Sequence, residues 1–227
     1  YLIINGGATT LSGVMNILRH SAVVGIMAFG MGLVIITGGI DLSVGSMLAL
    51  VGSFSVVVFN ATDSVFLTLL FALVAGGLCG LFNGVLIGLV KMPAFIVTLA
   101  TQLITYGLIL IFFMLNGNNG QPVSGLSQEY KSVVSAPMIQ FTTGSGAKIS
   151  IPWYVLYAVI FVALMWFIWN KTTFGKNMFA VGSNADAAKV SGVNVFWTTV
   201  MVHTLAGAMY GVTGFIEGAR ISSITQP

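Results

Sequence analysis

NKTTFGKNMFAVGSNADAAKVSGVNV, residues Asn170–Val195, is the stretch from which the rest of the chain is oriented. It is a basic polar loop between two strongly hydrophobic runs, and it holds Lys171, Lys176 and Lys189. Membrane proteins keep the Lys and Arg of short loops on the cytoplasmic side. Residues 170–195 are therefore placed in the cytoplasm. Within the loop, Asn184–Val190 reads as a short helix. Asn184 or Ser183 suits its N-cap, Asp186 its positive first turn, Lys189 its negative last turn and Gly192 its end. A capped helix on the water side of a membrane protein suits the docking of a soluble partner.

Composition sets the class. Of 227 residues, 57% are hydrophobic and 6% charged, where a soluble domain carries about a quarter charged residues. The expected fold is all-α, a polytopic α-helical membrane protein. A formal charge of +3 is the ordinary consequence of basic cytoplasmic loops and no footprint of nucleic acid. Cys79 is the one cysteine, so no intrachain disulfide forms. The chain opens on Tyr1-Leu-Ile-Ile and stops at Pro227. Neither reads as a natural end, and a piece of a longer protein is expected.

In chain order, Ser21–Thr37 and Val44–Phe59 are apolar runs separated by Gly38, Gly39, Asp41 and Ser43. Neither run alone reaches the ~20 residues that cross a bilayer. A broken or short helix pair around Gly38–Ser46 is expected, buried against protein because irregular backbone is tolerated at membrane depth only there or along a cavity. Val65–Val90 is long enough to span. Its Gly76, Gly80, Gly84 and Gly88 form a slowly winding groove for another helix backbone, and Asn83 beside it is placed to bond across. Lys91-Met92-Pro93 is a cytoplasmic turn. Ala94–Leu115 follows, with Thr98, Thr101, Gln102 and Thr105 on one face. That polar stripe either bonds neighbouring helices or lines a wet path, and spacing does not decide. Residues 116–151 form an outer, polar connection with a hairpin signal at Thr143–Gly146, either a plain surface loop or a docking surface. Pro152–Trp169 is a short span with Trp153, Tyr154, Trp166 and Trp169 at its ends, as in interfacial belts. Phe196–Glu217 crosses back, and Glu217 and Arg220 are spaced to pair at the outer interface. About six membrane segments result, two of them short.

Asp41 is the acidic residue expected at membrane depth. A carboxylate at a helix centre costs about 2.5–3.5 kcal/mol and an N-cap returns only ~1 kcal/mol. Asp41 therefore belongs off-centre, in a wet region, or with further partners. Three roles stay open for it: capping a helix that begins near Leu42, handling a proton or ion, or gating. His203 sits in a span as a packing histidine or a proton relay. No Ser/His/Asp set, His-x-x-Glu-His pattern or phosphate-binding G-x-x-x-x-G-K-[ST] loop occurs. ATP dependence, if present, comes from a partner.

Three ordered motifs, Thr37–Ser46, Pro93–Thr101 and Phe174–Asn194, resemble the permease subunits of bacterial ABC sugar importers, in the branch with the ribose, xylose, galactose and autoinducer-2 permeases. Residues 169–177 and 216–221 look nearest to galactose/methyl-galactoside permeases. The resemblance implies one transmembrane permease domain over 1–227 in the bacterial inner membrane, with residues 116–151 periplasmic. It implies a second permease copy, a periplasmic sugar-binding protein above and a cytoplasmic ABC ATPase below. ATP and Mg would be held by that ATPase, with no cofactor, metal or catalytic residue in this chain. Residues 170–195 match the position of the ATPase-contacting coupling loop, with Gly182, Asn184, Ala187, Ala188, Lys189 and Gly192 as its candidates. Thr98, Thr101, Gln102, Thr105 and the aromatic Tyr106 are candidates for the sugar path, Asp41 and Ser43 for a structural or gating role. The family's first membrane helix and its last several helices are expected to lie outside these residues. An ion-coupled secondary transporter or channel for a small polar solute is the alternative, with Asp41 as its coupling site. An intramembrane enzyme lacks a catalytic constellation, and a purely structural subunit is a further reading.

Overall fold

The computed structural model describes residues 11–115, 128–142 and 148–221. The helices are α1 Leu11–Ile36, α2 Val44–Thr62, α3 Val65–Val90, α4 Ala94–Leu115, α5 Gln128–Ser135, α6 Trp153–Lys171, α7 Thr173–Ser183, α8 Ala185–Val190 and α9 Val195–Ile221. β1 Pro137–Thr142 and β2 Lys148–Pro152 lie between α5 and α6. Among the described residues six helices are long and apolar enough to cross a membrane: α1, α2, α3, α4, α6 and α9. The fold is an all-α polytopic bundle with one small hairpin.

The break between α1 and α2 is present, but its flanking helices are not short. They run for 26 and 19 residues. The apolar run had hidden the true start of α1, which takes in polar Asn16, Arg19 and His20 ahead of Ser21. Glycine geometry ends the helix. Gly38 is left-handed at φ +81°, its N–H donates to Ile35 at 2.9 Å, and the Gly39 N–H donates to Val34 at 3.0 Å. This pair of bonds closes the orphan carbonyls of a helix end, and it requires a residue without a Cβ at the left-handed position. α2 then starts at Val44, two residues later than Leu42, with its first helical bond from the Met47 N–H to Ser43 at 2.8 Å.

α9 is buried along most of its length and α6 along almost none of it. α9 is the central helix, flanked by α1, α2 and α3, and α6 turns its aliphatic side outward. α3 and α9 run antiparallel in backbone contact. A Cβ on Gly76 would overlap the Gly207 carbonyl, one on Gly80 the His203 carbonyl, and one on Gly211 the Ala72 carbonyl; on Gly84 it would lie 2.8 Å from the Val200 Cα and on Gly88 2.7 Å from the Phe196 ring. The four-residue glycine step on α3 thus receives α9.

At the end of the bundle that holds Phe59 and Phe215, α5 and the hairpin form a cap. β1 and β2 pair antiparallel with Ile139 opposite Ile151 and Phe141 opposite Ile149. The expected turn at Thr143–Gly146 lies outside the described residues. Tyr130 of α5 is stacked on Phe59 with ring centroids 5.0 Å apart and donates to the Phe215 carbonyl at 2.8 Å. Burial pushes its phenol above the ordinary range, so it stays a neutral donor. Arg19 of α1 donates to the Ser150 carbonyl and hydroxyl of β2, and Arg220 pairs bidentately with Glu217 at 2.6 and 2.8 Å.

Candidate functional site

Two features stand out: a buried polar network at the α1–α2 break, and a pair of short helices, α7 and α8, of which α7 abuts the end of α1.

The network begins at Thr101 of α4. Its hydroxyl donates to Asn83 Oδ1 at 2.6 Å, Asn83 Nδ2 donates to Ser43 Oγ at 3.3 Å, and Ser43 Oγ donates to Asp41 Oδ1 at 2.5 Å. The Ser43 N–H donates to the same carboxylate oxygen at 2.9 Å. All these members are buried. The donors point one way, toward Asp41, and such chains polarise one another. The Ser43–Asp41 contact is a short O–H···O hydrogen bond. Asp41 is therefore not the α2 N-cap. Ser43 occupies that position without a side-chain cap bond, and Asp41 holds the two residues ahead of it. Asn83 lies about 10 Å from the Val90 end of α3 at 1.5 Å per residue. The network thus sits away from the middle of α3, toward its Val90 end.

The stripe on α4 faces this break. Thr98 accepts from the Leu42 N–H at 3.1 Å and lies 3.3 Å from the Ile40 carbonyl. Thr105 bonds Ser46 Oγ and the Thr101 carbonyl, both at 2.7 Å. Thr98, Thr101 and Thr105 are buried, whereas Gln102 and Tyr106 are half-buried. Asn83 bonds to the break and to α4, not across the glycine groove to α9.

Thr172 caps α7, taking the Gly175 N–H at 3.0 Å; residues 173–183 are helical where their polarity predicts a loop. The cue was Thr172 followed by the apolar Phe174 and Met178. Asn184 caps α8 through the Ala187 N–H at 2.9 Å. Gly192 at φ +86° ends it, with bonds from Gly192 to Lys189 and from Val193 to Ala188. Asp186 and Lys189 lie in the first and last turns. Ala187, Lys189 and Val190 are exposed and Ala188 is buried. Gly182 abuts the Ile36 carbonyl at the end of α1, where a Cβ would overlap it. Nothing in the sequence pointed to that contact.

Among the described residues no group of His, Cys, Asp and Glu could hold a metal ion. A cavity of about 510 Å³ between α2, α3 and α4 is walled by apolar side chains. A smaller one of about 180 Å³, between α1, α2 and α9, has His20, Thr213, Glu217 and Arg220 at its edge.

Six spans, a broken helix pair braced by buried polar groups and a short capped helix between two spans define a polytopic membrane protein. The family described as "branched-chain amino acid transport system / permease component" matches residues 13–226, and the chain belongs to it. It is a multi-pass protein of the bacterial inner membrane. It is 34% identical over 228 residues to the galactose/methyl galactoside import permease protein MglC of Salmonella typhimurium, covering 95% of this chain and 66% of that one. It is 35% identical over 211 residues to the ribose import permease protein RbsC of Bacillus subtilis, covering 92% of this chain and 61% of that one. The chain thus spans just under two thirds of these relatives. No solved structure matches it.

Proposed function

We propose that this chain is the membrane-spanning permease subunit of an ATP-binding-cassette importer, moving a monosaccharide of the galactose or methyl-galactoside type across the inner membrane. The observation that carries this reading is the family match over 13–226 joined to 34% identity with galactose import permeases. A ribose-type substrate is the second reading, favoured by the similar identity to the ribose permease.

A cytoplasmic ATPase holding ATP and Mg acts on α7 and α8. A second copy of the chain completes the membrane unit, and a periplasmic sugar-binding protein meets the cap of α5 and the hairpin. Closure of the ATPase pushes α7, and the contact of Gly182 with the Ile36 carbonyl passes that push to the break. The spans on either side then rock as rigid bodies. Dehydrated sugar hydroxyls need hydrogen-bond partners. The Thr98, Thr101 and Thr105 hydroxyls are engaged in packing, so Gln102 and Tyr106 are the members of the stripe free to meet a sugar.

Purification of the full-length protein in mild detergent from its native membrane tests the reading. A stoichiometric P-loop ATPase is expected to co-purify, and Ala187→Glu, on the exposed side of α8, is expected to release it. Ala188 is buried and would report packing instead. Recovery of the permease alone, under conditions that keep a known ABC complex intact, would sink the proposal. Uptake of labelled galactose against labelled ribose separates the two substrate readings.

A further inference from the structure

The cavity of about 510 Å³ offers a ligand only apolar walls. The smaller one of about 180 Å³, between α1, α2 and α9, has two unlike sides. Met27 and Leu48 make one apolar, and Thr213, Glu217 and Arg220, on successive turns of α9, make the other polar. His20 is exposed at the rim. The cavity lies at the end of α9 that α5 caps, where Tyr130 donates to the Phe215 carbonyl between Thr213 and Glu217.

The polar side suits a neutral ligand with several hydroxyls. Arg220 and Glu217 are paired bidentately, so their charges sum to zero. An anion entering the cavity meets the carboxylate, and a cation meets the guanidinium. The pair uses two of the five guanidinium N–H groups and one acceptor position on each carboxylate oxygen, so both partners can bond further. The Thr213 hydroxyl donates to the Met209 carbonyl at 2.7 Å, and its oxygen can still accept. Donors and acceptors therefore stand side by side. Sugar hydroxyls, which both donate and accept, need such partners when they leave water. The C–H face of the ring suits the apolar side, the usual division of labour in a small-molecule pocket. The cavity has the volume of about six waters at ~30 Å³ each, room for one monosaccharide and for nothing longer.

We propose that this cavity is a receiving site for one monosaccharide, with its hydroxyls on Glu217, Arg220 and Thr213 and its C–H face on Met27 and Leu48. A sugar handed over at the cap meets it before the stripe on α4. This rests on the transport reading above.

The test uses the full-length protein with its ATPase. Equilibrium dialysis of labelled galactose and ribose is run in mild detergent, ATP-driven uptake of both in liposomes, and thermal unfolding on the same preparations. Thr213→Val keeps the bulk and removes the hydroxyl. It is expected to unfold with wild type and to bind sugar about fivefold more weakly, with Thr213→Ser restoring the affinity. Glu217→Gln is expected to weaken binding at least tenfold, roughly the effect of losing hydrogen bonds to a charged group. If Glu217→Gln unfolds early, with Arg220 left unpaired, the Thr213 pair decides. Wild-type sugar affinity in Thr213→Val overturns the proposal, and so does a loss in Thr213→Val that Thr213→Ser shares. Displacement of the sugar by glycerol phosphate at lower concentration than by unlabelled galactose overturns it in favour of a lipid headgroup. If wild type moves neither sugar while its ATPase turns over, the transport reading fails, a separate result from unaltered Thr213→Val binding beside an active wild type.

Discussion

Asn83 shows how one side chain joins three segments. Its amide donates to Ser43 in the break and accepts from Thr101 of α4 while its backbone belongs to α3. Asn83→Leu keeps the bulk and strands a buried serine oxygen and a buried threonine hydroxyl. The expected loss is about 1–3 kcal/mol, or roughly 5 °C in thermal unfolding for a chain of this size. An unchanged midpoint would remove the network as a brace. Asn83 was visible in the sequence as a polar residue in an apolar span, but its partners were not. They lie 40 residues before it and 18 after it, distances that no local pattern encodes. For Asp41 the sequence argument required an off-centre site or further partners, and the structure supplies both. The register was two residues out because Ser43 takes the N-cap and Asp41 stands ahead of it.

At the scale of elements, the α3–α9 contact is the most demanding packing in the molecule. A Cβ on Gly80 would run into the His203 backbone, whereas one on the neighbouring Gly77 meets nothing closer than 3.9 Å. Gly80→Ala is expected to destabilise by about 1–3 kcal/mol as an overpacked site. Gly77→Ala should be neutral, or stabilising by up to about 1 kcal/mol from helix propensity. Thermal unfolding in detergent checks the pair, and equal effects at the two positions would refute the backbone contact. The glycine groove was legible as a surface. That its occupant is α9, meeting it with Gly207 and Gly211, was not, because small residues announce a close approach without naming the partner. α8 was read correctly, down to its caps, because its signals are local. α5 and α7 were missed for the opposite reason: they are short and amphipathic, and their apolar faces acquire meaning only against the bundle they cover.

For the whole molecule, the alternation of spans puts α5 and α8 on opposite sides of the membrane. A cysteine at Val190, 90% exposed on α8, is expected to react with a membrane-impermeant thiol reagent only when the cytoplasmic face is open. One at exposed Ser132 on α5 should react only from outside. The native Cys79, half-buried in α3, is removed first. Labelling of both from one side would overturn the topology. The sequence by itself determined the class and the number of spans, because hydropathy and the limits of a bilayer act on each segment separately. It also determined the α1–α2 break, since a left-handed glycine ends a helix whatever surrounds it. Only the tertiary structure decided that the threonine hydroxyls of α4 are engaged in bracing the break, that α9 is the central helix, and that α7 touches the end of α1 through Gly182. Those are contacts between segments far apart in the chain, chosen by the fit of shapes and by the need of buried donors to find acceptors.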